Sequence, residues 1–457
     1  MTTSGTVDPS QNGSGSATER SVLSGDLLSE IDAFLAPSDA RRAAAYPGDS
    51  GTRQPVHTVY VNADRATDDL VASWGRQARE ILDLVAADAT AAARTTGLAA
   101  VDGTVLDRVR AKLASQPIED LRLDFEDGYG ARPDAEEDAD ADRAAALLRD
   151  ILRGPHAPLT AGIRFKCLEP ALRRRGLRTL DRVVGGVIRS APSEKAELPA
   201  GFVVTLPKVT DTDQVRAMVR VCAALEHGYG LAEGALRFEI QVETTQAILA
   251  TDGTAAVAEM VQAAGARCIA LVYGTFDYSA ACGVSPAQQS LAHPVADHAK
   301  AVMQVAAAGT GVRLSDGSTN VLPIGTPEAV EAAVRLHSGL VTRSLERAYY
   351  QGWDMHPGHL VSRYLATFAF FRAGRAAAAD RLRAYLAKQE GAVMDEPATA
   401  QALAGLLQRG VHCGAVTVDE IVAAGVDPTL LDALARKLPL PSAPAHDLIT
   451  PSEGSAR

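Results

Sequence analysis

The chain has 457 residues, 47% of them hydrophobic and 22% charged, enough apolar material to bury one large domain with appendages. Its 56 acidic against 45 basic residues leave a net charge of -11, which excludes a global field that would draw in nucleic acid or an anionic membrane. The five cysteines, Cys167, Cys222, Cys268, Cys282 and Cys413, form no C-x-x-C pair and no zinc-like spacing with histidine, which points to the reducing cytoplasm.

In chain order, residues 1–20 are rich in Ser, Thr and Gly and predict a disordered tail. They carry neither a basic n-region nor an apolar h-region, and nowhere do 18 apolar residues run without a charge, so neither export nor membrane insertion is expected. Residues 21–375 read as a helical lead-in followed by β-rich runs alternating with helical patterns. Eight strands are predicted: 56–63 (VHTVYVNA), 119–127 (EDLRLDFED), 161–166 (AGIRFK), 201–209 (GFVVTLPKV), 236–243 (LRFEIQVE), 268–277 (CIALVYGTFD), 311–317 (GVRLSDG) and 352–357 (GWDMHP). Between them, segments such as TDQVRAMVRVCAALEHG place apolar residues at i, i+3 and i+4 and end near Gly, as outer helices do. The expected fold class is therefore α/β, a (β/α)8 TIM barrel; an open doubly wound sheet would alternate in the same way, and the count of eight favours closure. Residues 376–437 predict a helical C-terminal extension, and 438–457 a flexible Pro/Ser-rich tail.

Barrels of this kind carry their active sites at the C-terminal ends of the strands. There the chain offers Asp64 and Arg65, then Asp124, Glu126 and Asp127, then Arg164 and Lys166, Lys208, Glu243, Asp277, the loop Ser315–Asn320, and His356. Glu243 and Asp277 stand one βα unit apart, so their carboxylates face a shared point; all-oxygen ligation of this type suits Mg2+ or Mn2+. Each could instead cap a helix or pair with Lys208 or Arg164. Ser315, Asp316, Ser318 and Asn320 offer hydroxyls and polar groups to a substrate carboxylate or phosphate, or form a plain turn. His356 is a candidate proton donor or a loop brace beside Pro357. The run RRRGLRTLDR could meet the phosphates of a coenzyme A thioester, although such runs are usually solvated helix faces, as the acidic run DAEEDADAD also reads.

The ordered phrases VYVNADR, LDFEDGYG, GIRF, LPKV, VET, YGTFD and WDMHP resemble the HpcH/HpaI aldolase and citrate lyase beta-subunit superfamily of pyruvate/phosphoenolpyruvate barrels, over roughly residues 55–365. GTFDYSAACGV and LSDGSTNVLPIG resemble an aldolase-like branch sometimes labelled phosphoenolpyruvate kinase. The resemblance implies that Glu243 and Asp277 ligate Mg2+, that Arg164 stabilises an enolate or carboxylate oxygen and binds substrate, and that Glu126 and Asp127 hold metal-bound water, Asp127 being a candidate general base; Asp64 and Arg65, after the first strand, are candidate substrate binders by position. It implies a lyase or aldolase acting on a small 2-oxo acid or acyl-CoA thioester through a metal-stabilised enolate, as a homo-oligomer. Lys208 reads first as a salt bridge to Glu126 and Asp127, second as a carboxylate binder and third as a Schiff-base amine. Two other readings stand beside this one, a phosphotransferase acting on phosphoenolpyruvate or pyruvate and a silent metal- or oxo-acid-binding barrel; the chain has neither G-x-x-x-x-G-K-[ST] nor G-x-G-x-x-G.

Overall fold

In a computed structural model, residues 23–188, 196–387 and 396–439 are described. The expected tail at 1–20 lies outside them, as does the expected tail at 438–457 from residue 440 onward. The helix Gly25–Ala45, capped by Ser24, which accepts a bond from the N–H of Leu27, belongs to a compact unit ending at Tyr46, and none of its residues is buried. A second unit begins at Pro47.

That second unit contains eight parallel strands: β1 His57–Asn62, β2 Asp120–Asp124, β3 Thr160–Arg164, β4 Phe202–Leu206, β5 Phe238–Val242, β6 Cys268–Tyr273, β7 Arg313–Ser315 and β8 Gly352–Asp354. Neighbours pair in sequence order from β1 to β7, and β8 returns to β1 with His57 opposite Gly352. A parallel bridge between Ser315 and Gln351, with the Asp316 N–H donating to the Gln351 carbonyl at 2.8 Å, closes the ring between β7 and β8. The result is a (β/α)8 TIM barrel, with each predicted strand present in shortened form.

The strands alternate strictly because side chains of an extended chain point to opposite faces. On β2, Leu121 and Leu123 face outward into the hydrophobic core with no exposed surface, while Arg122 reaches across the lumen to Thr205 on β4 and Glu239 on β5. Outer helices meet the ring with one apolar stripe. In Leu70–Val85 the buried residues are Leu70, Val71, Trp74, Gly75, Ala78, Leu82 and Val85, a 3.6-residue repeat. Each fully buried Leu or Val on such a stripe contributes about 1.5–3 kcal/mol, and Leu82→Ala is expected to cost about 2–5 kcal/mol.

The helix Pro357–Leu386 runs unbroken through residue 375 and so joins the barrel to the C-terminal helices Pro397–Cys413, Val418–Ala423 and Pro428–Ala435. Phe368 and Phe371 on the first, Leu407 on the second and Leu430 and Leu431 on the last belong to the same core as the strands. Among the described residues, no helix is long and apolar enough to cross a membrane.

Candidate active site

The barrel lumen is polar from bottom to top. Arg122, fully buried, bonds Asp120 at 2.5 Å and Glu239 at 3.1 Å, forming a charged plug below the mouth. Above it, Asp124 at the end of β2 grips Arg164 at the end of β3 through two bonds, 2.7 Å to Nε and 2.8 Å to a terminal nitrogen. The same carboxylate accepts the backbone N–H groups of Glu126 at 3.0 Å and Gly128 at 3.3 Å, so it also shapes the acidic loop. Tyr60 and Trp353, tilted at 37° with centroids 4.0 Å apart, each face the Arg164 guanidinium at 5.1 Å. Gln241 ties Arg164 to the next layer, accepting from the guanidinium at 3.4 Å and donating to Glu243 at 2.6 Å.

At the mouth, Lys208 bridges the carboxylates. Its backbone N–H donates to Glu243 Oε1 at 2.7 Å, while its ammonium reaches Asp277 at 2.9 Å, Asp127 at 3.0 Å and Glu126 at 3.5 Å. To aim both groups inward, Lys208 adopts a left-handed backbone, φ 49°, a conformation that costs a non-glycine residue roughly 1–2 kcal/mol. Gly274 leaves the space that Glu243 fills, since a Cβ there would lie 2.7 Å from Glu243 Oε2. Burial pushes Glu243 up to about 8, against the pull of Lys208 and Arg164, and pushes Glu126 up to about 7, with Arg164 opposing and Asp127 adding repulsion. Asp127 stays below the usual carboxylate range: burial works against this, but bonds from Glu126 and Lys208 prevail. Burial would also discharge Lys208, yet Glu243 and Glu126 together with the bonds to Asp277 and Asp127 hold its ammonium well above the ordinary value. Such an amine is a cation first and a nucleophile last.

The model of a domain of unknown function, DUF6986, matches residues 35–438. The chain belongs to the DUF6986 family. Among curated proteins no sequence match was found. Among solved structures, a citrate lyase from Burkholderia xenovorans LB400 matches with a TM-score of 0.52 at 19% identity, covering 81% of this chain and 96% of that one, a shared fold. A malate synthase from Haloferax volcanii gives a TM-score of 0.44 at 16% identity over 68% and 74% of the two chains. Protein CitE from Mycobacterium tuberculosis, in complex with magnesium and acetoacetate, gives 0.41 at 17% over 79% and 99%.

The mouth of this DUF6986 barrel presents carboxylate oxygens of the kind a divalent cation takes. Among the described residues, Glu126, Asp127, Glu243, Asp277 and Asp124 are opposed at the mouth by Lys208 and by Arg164, which Asp124 already occupies. Glu243 and Asp277, both turned toward Lys208, would hold Mg2+ or Mn2+, hard cations that prefer carboxylate oxygen. A different group, His337, Asp354 and His359, brings its ligand atoms within 4.8 Å of one another. It does not suit a metal. Arg363 supplies the positive charge, bonding Asp354 at 2.7 Å, and the ring nitrogens of His359 are taken by Met355 N–H at 3.3 Å and the Val321 carbonyl at 3.0 Å. This network fastens β8 to the helices Pro327–Glu346 and Pro357–Leu386.

The remaining sequence candidates do not converge on the carboxylates. Asp64 pairs with Arg132 at 2.8 Å, and Arg65 is exposed. Ser315 is the closing bridge, and Asp316 is buried against Lys300 at 3.0 Å and Ser344 at 2.6 Å, while Ser318 N–H donates to Thr275 at 3.1 Å and Asn320 is exposed. His356 accepts the Gly358 N–H at 3.1 Å and caps its helix. The RRRGLRTLDR arginines lie against the acidic helix instead: Arg175 bonds Asp138 at 2.7 Å, Arg178 bonds the same carboxylate, and Arg182 bonds Asp142. The sequence reading missed Gln241, Tyr60 and Trp353. Gln241 had a signal, because F-E-I-Q-V-E puts Glu239, Gln241 and Glu243 on one face.

Proposed function

We propose that the chain is a Mg2+- or Mn2+-dependent carbon-carbon lyase of the aldolase and citrate lyase beta-subunit type, acting on a small 2-oxo acid or an acyl-CoA thioester. The observation that supports the reading is that Lys208 joins two strand-end carboxylates at the barrel mouth, Glu243 through its backbone N–H and Asp277 through its ammonium, beside an Arg164 that Asp124 holds by two bonds. A bound divalent cation would polarise the substrate's carbonyl oxygen and stabilise the negative charge developing there.

The chain's own groups account for the rest. The terminal nitrogen of Arg164 that Asp124 leaves free points toward Gln241 and Glu126 and offers a donor to a substrate carboxylate or carbonyl oxygen. Because Asp124 and the two aromatic rings hold the guanidinium in place, it needs no reorganisation when charge develops. Asp127 is half-exposed and held in its charged form, so it can take the proton from a substrate hydroxyl. As that proton leaves, the carbon-carbon bond beside the carbonyl breaks, and its electron pair moves on to the carbonyl oxygen. Reprotonation of the carbon completes cleavage. Lys208 orients Asp127 and Asp277 across the mouth.

The test incubates purified protein with oxaloacetate, 4-hydroxy-2-oxo acids, malyl thioesters, and phosphoenolpyruvate plus ATP, each with Mg2+, Mn2+ or EDTA. Metal-dependent cleavage of an oxo acid or thioester, lost in Glu243→Ala and Asp277→Ala with unchanged circular dichroism, is expected. Phosphate transfer from ATP with no lyase reaction would refute the proposal.

A further inference from the structure

At the opposite face from the mouth, the N-terminal ends of β1, β7 and β8 and the helices Pro357–Leu386 and Pro397–Cys413 enclose a cleft of about 310 Å3. This volume falls in the range of small-molecule sites, roughly 300–1,000 Å3. Arg313, the first residue of β7, and Arg409, on the C-terminal helix, both line it, together with His412, Gln54, Tyr350 and Phe371.

The two arginines differ from the most deeply buried guanidinium groups of the barrel. Arg122, Arg164, Arg267 and Arg363 are each bonded to a carboxylate. Arg313 and Arg409 have none within ion-pairing distance among the described residues. Arg313 donates only to the backbone carbonyl of Thr52, at 3.0 Å, and to its hydroxyl. Arg409 donates to the Gly405 carbonyl of its own helix at 3.3 Å and lies 4.5 Å from the centroid of the Tyr350 ring. Asp49, a carboxylate on the lining, accepts the Gly51 N–H at 2.9 Å and is exposed. Burial holds Arg313 below its usual value although Asp49 and Asp120 pull the other way from beyond ion-pair distance, and a partly buried guanidinium with no directly bonded carboxylate is costly. Both groups are planar forks suited to carboxylate or phosphate oxygens.

We propose that this cleft is a second binding site, separate from the barrel mouth, for a small multivalent anion bearing carboxylate or phosphate groups, held between Arg313 and Arg409. The apolar wall of Tyr350 and Phe371, whose rings stack with centroids 6.0 Å apart, would take a short carbon skeleton.

The experiment is calorimetric titration of the full-length protein with inorganic phosphate, pyrophosphate, succinate and citrate, at ionic strength held constant with NaCl. Wild type and the variants Arg409→Gln, Arg313→Lys and Asp127→Asn are compared. At least one anion is expected to bind, with its Kd raised tenfold or more by Arg409→Gln and left within twofold by Asp127→Asn at the mouth. A tighter phosphate than carboxylate series would identify a phosphorylated ligand, and the reverse an organic acid. Arg409 makes no ion pair among the described residues and bonds only the Gly405 carbonyl of its own helix, so its variant is expected to keep the circular dichroism and melting behaviour of wild type; Arg313→Lys, which retains the charge but not the fork, provides the independent check with an intermediate loss. No binding by any of the four anions, or binding left within twofold by both Arg409→Gln and Arg313→Lys, would overturn the proposal.

Discussion

Asp124→Asn tests whether one carboxylate positions the mouth. The substitution keeps the side-chain shape but presents an NH2 group to a guanidinium that is only 3% exposed. Two charge-assisted bonds, of 2.7 and 2.8 Å, are replaced by at most one neutral bond. At about 1.5–3 kcal/mol for each charged bond and about 1 kcal/mol for the neutral one, the loss is roughly 2–5 kcal/mol. Glu126, 3.6 Å from the other terminal nitrogen, recovers part of the charge balance, which sets the expectation near 3 kcal/mol. The assay is the urea-unfolding midpoint with its slope checked for constancy, alongside turnover of whichever substrate the metal screen reveals. Activity should fall further than stability requires, because Arg164 is no longer aimed. A double variant, Asp124→Leu with Arg164→Met, should regain most of the stability and none of the activity, since an apolar pair can replace a buried ion pair at little cost. A loss below about 1 kcal/mol for Asp124→Asn would show that Asp124 does not set the position of Arg164.

Three further outcomes are expected. Millimolar Mg2+ should raise the melting temperature of wild type but not of Glu243→Ala, because a ligand that binds only the folded state stabilises it; equal shifts in both would remove Glu243 from the metal site. Borohydride reduction in the presence of pyruvate should leave Lys208 unmodified by mass spectrometry, since its amine is held as a cation between Asp127 and Asp277; a trapped adduct at Lys208 would revive Schiff-base chemistry. His57 is fully buried and burial pushes it down to about 4 from 6.5, with Asp354 and Glu119 opposing. Between those values the unfolded chain binds a proton that the folded one does not, so stability is full above 6.5 and falls as the pH drops toward 4, by up to about 3 kcal/mol. His57→Gln should flatten that part of the urea-midpoint profile, and an unchanged slope would exclude His57 as its source.

Much of the barrel was legible in the chain itself. Alternation of apolar and polar residues on DLRLD and FEIQV determines which side of a strand faces the lumen, because the period of an extended backbone is two wherever the strand ends up. The same local chemistry marks TDQVRAMVRVCAALEHG, the helix Thr212–Tyr229, as an outer helix and Lys208 and Glu243 as strand-end residues.

What the local pattern could not decide is which polar groups meet. Arg122 and Glu239 are 117 residues apart and touch only because the closed barrel brings β2 and β5 across one lumen. The acidic run from Asp134 and the basic run from Arg173 each read as a solvated face; packed side by side, they neutralise one another at Asp138 and Asp142. His356 and Asp316 stand at strand ends as the sequence suggested, yet one caps a helix and the other is sealed against Lys300. Thus the sequence by itself determined the strands, their inward faces and the carboxylates available at the rim, since these depend on neighbours in the chain. Only the tertiary structure decided that Lys208 would link Glu243 through its backbone N–H to Asp277 and Asp127 through its ammonium, because that juxtaposition depends on ring closure and on the left-handed turn after β4.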